Sequence, residues 1–385
     1  MKPTTRRIRR GLEDLGVAMY RERQTLDDLR ILPLGAGVPP GEAPIAGSDA
    51  PGWRSIAPGE QWGGRDEYAW FHGEAALPAH WIPAAGEGHA VALRFLLGVS
   101  DDFGWPEGLL FVDDHLLQGI NQHHRDLLLP GSILHDGPLR FDVRAWSGLH
   151  ERTRRFEYAE LSLLHRDTEA LYHLLRAGCD LVDALEAHDP LLHPLVQALE
   201  SAYDMVDLRR PDDPRLAATT TTAVGALRGR LAELRATYAP PERPSVVAVG
   251  HGHLDVAWLW QTRHTREKAA RTFSIATALM ALYPEYHFLH TTPQVFAWLE
   301  HDYPDLFARV RSQVTEGRFE AAGAMWVESD TNIVSGESLV RQMLYGQRYL
   351  RETFGMEYDA LWLPDTFGYT WALPQLIVRA GLRAV

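Results

Sequence analysis

His251, His253 and Asp255 stand two residues apart in the segment Val-Val-Ala-Val-Gly-His-Gly-His-Leu-Asp-Val-Ala-Trp-Leu-Trp, residues 246–260. All three side chains can bind a metal. The β-branched run before them predicts a buried parallel strand. If the backbone stays extended past it, His253 and Asp255 point the same way, because side chains alternate along a strand. The carboxyl end of a parallel strand is where α/β enzymes place their chemistry.

A second strand end reads Leu-Trp-Leu-Pro-Asp-Thr-Phe-Gly, residues 361–368, and puts Asp365 at the same rim. Asp before an apolar run is a common helix N-cap, so Asp365 alone would say little. With His253 and Asp255 at that end of the sheet, a shared metal is the better account. One imidazole and two carboxylates suit Zn²⁺, with Co²⁺ or Mn²⁺ as further fits. A third strand end, Gly-Ala-Met-Trp-Val-Glu-Ser-Asp from 323 to 330, brings Trp326, Glu328 and Asp330 to the rim. Trp258, Trp260 and Trp326 offer flat apolar faces that stack on sugars, although for Trp260 core packing is preferred.

Repeated βα units must position these residues. Strands are expected at about 245–250, 286–289, 319–323 and 358–363, with Leu382–Val385 starting another. Between them, Phe273, Ala276, Met280 and Tyr283 form a helical stripe, and Pro304, Ser335, Gly317, Gly355 and Gly381 mark helix starts and stops. A parallel sheet, open or closed into a barrel, follows. The chain as a whole is expected to be multidomain α/β. Residues 1–60 read as an N-terminal extension and a Gly/Pro-rich linker, and 61–165 as a β-sandwich-like domain of short strands. A helical connecting segment follows over 166–243, then the N-terminal part of a β/α, barrel-like catalytic domain over 244–385.

Composition narrows the function. The chain has 385 residues, is 45% hydrophobic and carries a net charge of −13. Nucleic acids and anionic membranes demand basic surface, so neither is an expected partner; a small polar substrate fits better. The single Cys179 excludes an internal disulfide framework and a cysteine metal cluster. No apolar run is long enough to span a membrane, and the basic start has no signal-peptide core, so the cytoplasm is the default location.

Taken together, His251-Gly-His-Leu-Asp-Val-Ala-Trp-Leu-Trp, the segment from Glu316 to Asp330, Glu337-Ser-Leu-Val-Arg-Gln-Met-Leu-Tyr-Gly and Leu363-Pro-Asp-Thr-Phe-Gly-Tyr resemble glycoside hydrolase family 38. They follow the order and rough spacing of its α-mannosidases, nearest to the cytosolic, bacterial-type branch. Trp62 to Phe156 looks, more weakly, like that branch's N-terminal β-domain. The resemblance implies metal binding by His253, Asp255 and Asp365, with Asp365 also the nucleophile. It places Trp258 beside the bound sugar, leaves His251 behind the ligands and makes Asp330 a substrate contact. Retaining hydrolysis of a terminal α-mannoside, free or in an oligosaccharide, is the implied reaction. The family's acid/base lies well after the Pro-Asp-x-Phe-Gly segment, so the resemblance implies an N-terminal portion lacking it, with weak or no turnover of its own. Homo-oligomerisation stays open. Two alternatives stand beside this one. His-x-His after a first strand also opens metal-dependent amidohydrolases, which use both histidines as ligands. A non-catalytic carbohydrate-binding fragment would bind sugar without metal.

Overall fold

The computed structural model describes residues 5–37, 51–101, 104–210, 213, 215–238 and 246–385. Two antiparallel sheets face each other in the N-terminal part. One has the order Tyr20–Thr25, Tyr158–His165, His89–Leu96, Asp126–Leu128. The other runs Arg54–Ser55, Arg30–Ala36, Glu67–Ala76, Pro138–Trp146, Glu107–Val112, His115–Ile120. Ile31, Phe71, Phe95, Phe141, Phe156 and Leu161 fill the space between them with no exposed surface. Glu67–Ala76 is buried on both faces over most of its length. Its outer face is covered too, which is why its sequence reads as a continuous apolar run. Trp62, Trp70 and Trp81 are core residues here.

The N-terminal residues differ from the expected extension and linker. Helix Arg6–Ala18 buries Ile8, Leu12 and Leu15, spaced as one helical stripe, against Leu171, Leu175 and Leu199 of the next helical group. That group is Arg166–Ala184, Leu192–Asp204 and Arg215–Tyr238, and it encloses Cys179. Tyr20–Thr25 and Arg30–Ala36 are sheet strands; Pro33 is tolerated because the register slips there, between Pro33 and Gly35. Basic residues along the helix and Pro and Gly along the strand hid these elements in the sequence. Residues 38–50 of the expected linker lie outside the described ones.

The C-terminal part alternates strands and helices. Gly250–His251, Phe288–His290 and Phe319–Ala321 form a parallel sheet in that order. Helices Thr262–Leu282, Pro293–Asp302, Pro304–Thr315, Gly336–Phe354 and Leu373–Arg379 accompany them. Ser335 Oγ accepts the Ser338 N–H at the start of one, and Gly355 ends it at φ +69°, as the capping signals predict. The expected first strand is shorter than its sequence promised: Val246 and Val247 are 88% and 87% exposed. Gly250–His251 pairs on one side only, with Phe288–His290, among the described residues. The strands expected at 358–363 and 382–385 reduce to one parallel bridge, Ala360 with Ala384. Among the described residues, no helix is long and apolar enough to cross a membrane.

Helix Thr262–Leu282 joins the two parts. It lies so close to strand His115–Ile120 that a Cβ on Gly119 would meet the Arg271 carbonyl oxygen at 2.7 Å. Buried charges tie it down. Glu107 lies 3.0 Å from Lys268 and 2.9 Å from Arg271, Tyr68 donates to Glu267 at 3.0 Å, and Asp66 accepts from Trp146 and His264.

Candidate functional site

The first turn of helix Thr262–Leu282 fixes the loop that leaves the first strand. Thr265 Oγ1 is 2.7 Å from the Asp255 carbonyl oxygen and 2.9 Å from that of Val256, and Trp260 Nε1 donates to Thr265 Oγ1 at 3.0 Å. Past the end of the strand, His253 and Asp255 come together, with His253 Nε2 3.5 Å from Asp255 Oδ1.

A second loop follows strand Phe319–Ala321. Gly323 and Ala324 both take positive φ, 105° and 64°. A Cβ at 323 would sit 2.2 Å from the Thr291 carbonyl oxygen, so that position requires glycine. Past this reversal the chain presents Glu328 and Thr331 to the third loop. Glu328 Oε1 accepts the Asp365 N–H at 2.7 Å and the Thr366 hydroxyl at 3.0 Å. Thr331 Oγ1 bonds the Gly368 carbonyl and accepts the Thr370 N–H. Asp365 does not cap a helix, because the next one starts at Leu373 after Ala372.

These three loops enclose a cleft of about 190 Å³, walled by His253, Asp255, Thr292, Glu328, Asp330, Asp365 and Phe367. Asp365 Oδ2 is 3.5 Å from His253 Nε2. Donor atoms of His253, Asp255 and Asp365 lie within 4.8 Å of one another. Ligands about 2.0–2.2 Å from a tetrahedral ion are themselves roughly 3.3–3.6 Å apart, so the two 3.5 Å separations fit such an ion. The donor chemistry fits as well: one imidazole and two carboxylates, with no Lys or Arg paired to them among the described residues.

Not every residue singled out by sequence reaches the cleft. His251 stays out of the donor cluster; its Nε2 is buried without a hydrogen bond and its ring lies 6.0 Å from that of Trp362. Asp330 lines the cleft, and its Oδ1 accepts the backbone N–H groups of Asn332 and Ile333. Trp258 is 55% exposed, edge-on to Trp260 at 5.3 Å, and is not part of the wall. Trp326 is placed elsewhere: its Nε1 donates to Gln294 and its ring meets Tyr349 at 5.6 Å. Glu328, which the sequence placed only near the rim, is at the centre of the bonding. Its signal would have been a buried carboxylate two residues before Asp330, which no spacing rule identifies.

Residues 243–385 match the model of the glycosyl hydrolases family 38 N-terminal domain. Alpha-mannosidase 2C1 of Homo sapiens is 30% identical over 332 residues, 82% of this chain and 30% of that protein. Alpha-mannosidase G of Dictyostelium discoideum is 44% identical over 137 residues, covering 36% of this chain and 13% of that protein. Alpha-mannosidase of Saccharomyces cerevisiae is 44% identical over 139 residues, with the same two coverages. The chain thus spans between 13% and 30% of the length of these relatives.

Proposed function

The chain belongs to glycoside hydrolase family 38 through residues 243–385, and from that premise we propose that its cleft serves the metal-assisted, retaining hydrolysis of terminal α-D-mannosides. The observation that carries this is the convergence of Asp255 and Asp365 on His253 Nε2, each at 3.5 Å, in a cleft open to solvent. His253, Asp255 and Asp365 would hold a zinc ion. That ion, when bound, supplies a Lewis-acid contact for sugar hydroxyls and so favours the oxocarbenium-like transition state.

The nucleophile and its positioning fall to the chain's own residues, whereas the proton for the leaving oxygen does not come from them. Asp365, half-exposed toward the cleft, is the nucleophile: its carboxylate oxygen bonds to the anomeric carbon as the bond to the leaving oxygen breaks. Water later returns the free sugar and the carboxylate. Glu328 and Thr331 hold the Asp365 loop, so that attack starts from a fixed carboxylate and less orientation is lost on the way. Asp330, on the cleft wall, is placed to meet a sugar hydroxyl. The three described parallel strands form part of a barrel-like catalytic domain on this view, and the cytoplasm is its compartment.

The test is covalent trapping. The purified chain is incubated with Zn²⁺ and an activated fluoromannosyl fluoride, digested and mapped by mass spectrometry. Fluoride departs without a general acid, so the assay probes Asp365 and the metal set alone. A mannosyl adduct on the peptide carrying Asp365, absent from D365N, is expected. A folded, zinc-loaded chain that forms no adduct would sink the proposal.

A further inference from the structure

We propose that Glu328 is the positioning residue that sets the tautomer of His253 and thereby makes its Nε2 available to a metal. The inference rests on the metal site proposed above and adds a residue that the ligand set does not contain.

Glu328 carries its charge in an unusual setting. Its side chain is 13% exposed, and among the described residues no Lys or Arg pairs with it. A buried carboxylate is costly unless its oxygens are engaged. Here Oε1 is hydrogen-bonded to one loop and Oε2 stands within ion-pair distance of another. Oε1 accepts from Asp365 N–H at 2.7 Å and Thr366 Oγ1–H at 3.0 Å. Oε2 lies 3.3 Å from His253 Nδ1. The other ring nitrogen, Nε2, faces the two aspartates at 3.5 Å. One planar group therefore spans the histidine ligand and the backbone of the Asp365 loop.

The chemistry follows from what imidazole can do. A neutral ring has one N–H and one lone pair, and which nitrogen binds a metal is set by the bond that the other makes. With a cation between Nε2 and the two aspartates, the Nε2 lone pair would be the donor and the remaining proton would sit on Nδ1, where Glu328 Oε2 can accept it. Such a carboxylate behind a ligating histidine also fixes the orientation of its ring. A glutamine could not replace it. Its amide offers one acceptor oxygen, whereas this site needs two: one for Asp365 N–H and one for His253 Nδ1–H. In E328Q, if the oxygen stays with Asp365, the amide NH₂ faces Nδ1. That favours the Nε2–H tautomer, which has no lone pair for the metal.

Two measurements test this on the full chain. The first uses the zinc-loaded wild-type protein, labelled with ¹⁵N in its histidine rings. Nδ1–H is expected as the dominant tautomer of His253, assigned by its loss in H253N. A dominant Nε2–H form would overturn the inference, whether or not any variant folds. The second is zinc titration by calorimetry. E328Q should bind Zn²⁺ about 10–100-fold more weakly than wild type, with its Asp365 loop bonds kept and its unfolding midpoint little changed. Equal affinities in the two proteins would overturn the assignment, since a purely structural glutamate would alter stability and leave zinc affinity alone. A wild-type chain that binds no zinc would instead overturn the metal site itself, which this comparison separates from a failure of Glu328.

Discussion

The same kinds of side chain are used in opposite ways at two places in this molecule. Where helix Thr262–Leu282 meets the β-sandwich, Glu107, Glu267 and Asp66 each face a cation or a neutral donor: Lys268, Arg271, Tyr68, Trp146 and His264. In the cleft, Asp255, Glu328 and Asp365 surround one imidazole and no Lys or Arg pairs with them among the described residues. A balanced cluster is complete when folded. One with surplus negative charge leaves room for something cationic from outside. Residue type does not separate the two cases; the balance of charge does, and the cleft is also the more exposed of the two.

The sharpest way to break the comparison is Glu107→Ala. Glu107 is buried, and although burial alone would push its carboxyl up, Arg271 and Lys268 hold it below the usual carboxylate range. Removing it leaves Lys268 without its carboxylate and Arg271 with Glu267 alone, at 3.6 Å, and breaking such a buried pair typically costs about 3–5 kcal/mol. Urea unfolding should show a loss of that order, while zinc affinity, measured at a temperature where the variant is folded, stays within about twofold. A large fall in zinc affinity would mean that the interface and the cleft are one network, and the distinction would fail.

A third kind of buried polar group sharpens it further. His290 is fully buried, its ring 4.9 Å from Phe273 and 5.4 Å from Phe296, with Nδ1 3.0 Å from the Gly252 carbonyl oxygen. Burial holds it down to about 3, with His251 and His253 adding to the effect and the Gly252 carbonyl opposing it. The unfolded chain takes up this proton near pH 6.5 and the folded chain does not. The contribution to stability is therefore complete above about pH 6.5 and declines as pH falls from there toward 3. At pH 5 the loss is roughly 2 kcal/mol, at 1.36 kcal/mol per unit. H290F should be less stable at pH 7, yet lose about 2 kcal/mol less than wild type between pH 7 and pH 5. Identical losses would show that His290 protonates in the fold.

How much of this was legible in the sequence follows from the same physics. His253, Asp255 and Asp365 could be found because ligand type and strand-end position coincide, and both survive a shortened strand. Helix Gly336–Phe354 could be bounded because Ser335 and Gly355 do local work that any fold would need. Trp326 could not be placed, because the positive φ values of Gly323 and Ala324 break the alternation on which its assignment relied. Glu328 was equally hidden: its partners are a backbone N–H and a ring nitrogen of distant segments, and neither leaves a mark in the spacing of residues. The first helix was missed for a different reason, since three apolar positions among many arginines read as polar until a second helix group is there to cover them.

The smallest expected effect is the one that tests the charge argument most directly. The three carboxylates of the cleft crowd one imidazole, and no Lys or Arg pairs with them among the described residues. Asp255→Asn removes one of them while keeping the shape of the side chain. The metal-free chain should then be more stable by up to about 1 kcal/mol, as expected where a functional site is held together against its own repulsion. Zinc must reverse the order. Wild type gains RT ln(1 + [Zn]/Kd), about 2.7 kcal/mol at a hundredfold excess over Kd, whereas D255N, short of one ligand, gains much less. Thermal unfolding with and without zinc should therefore give two curves that change places. If D255N is the less stable protein in both conditions, Asp255 is a structural residue and the cleft is no more unbalanced than the interface.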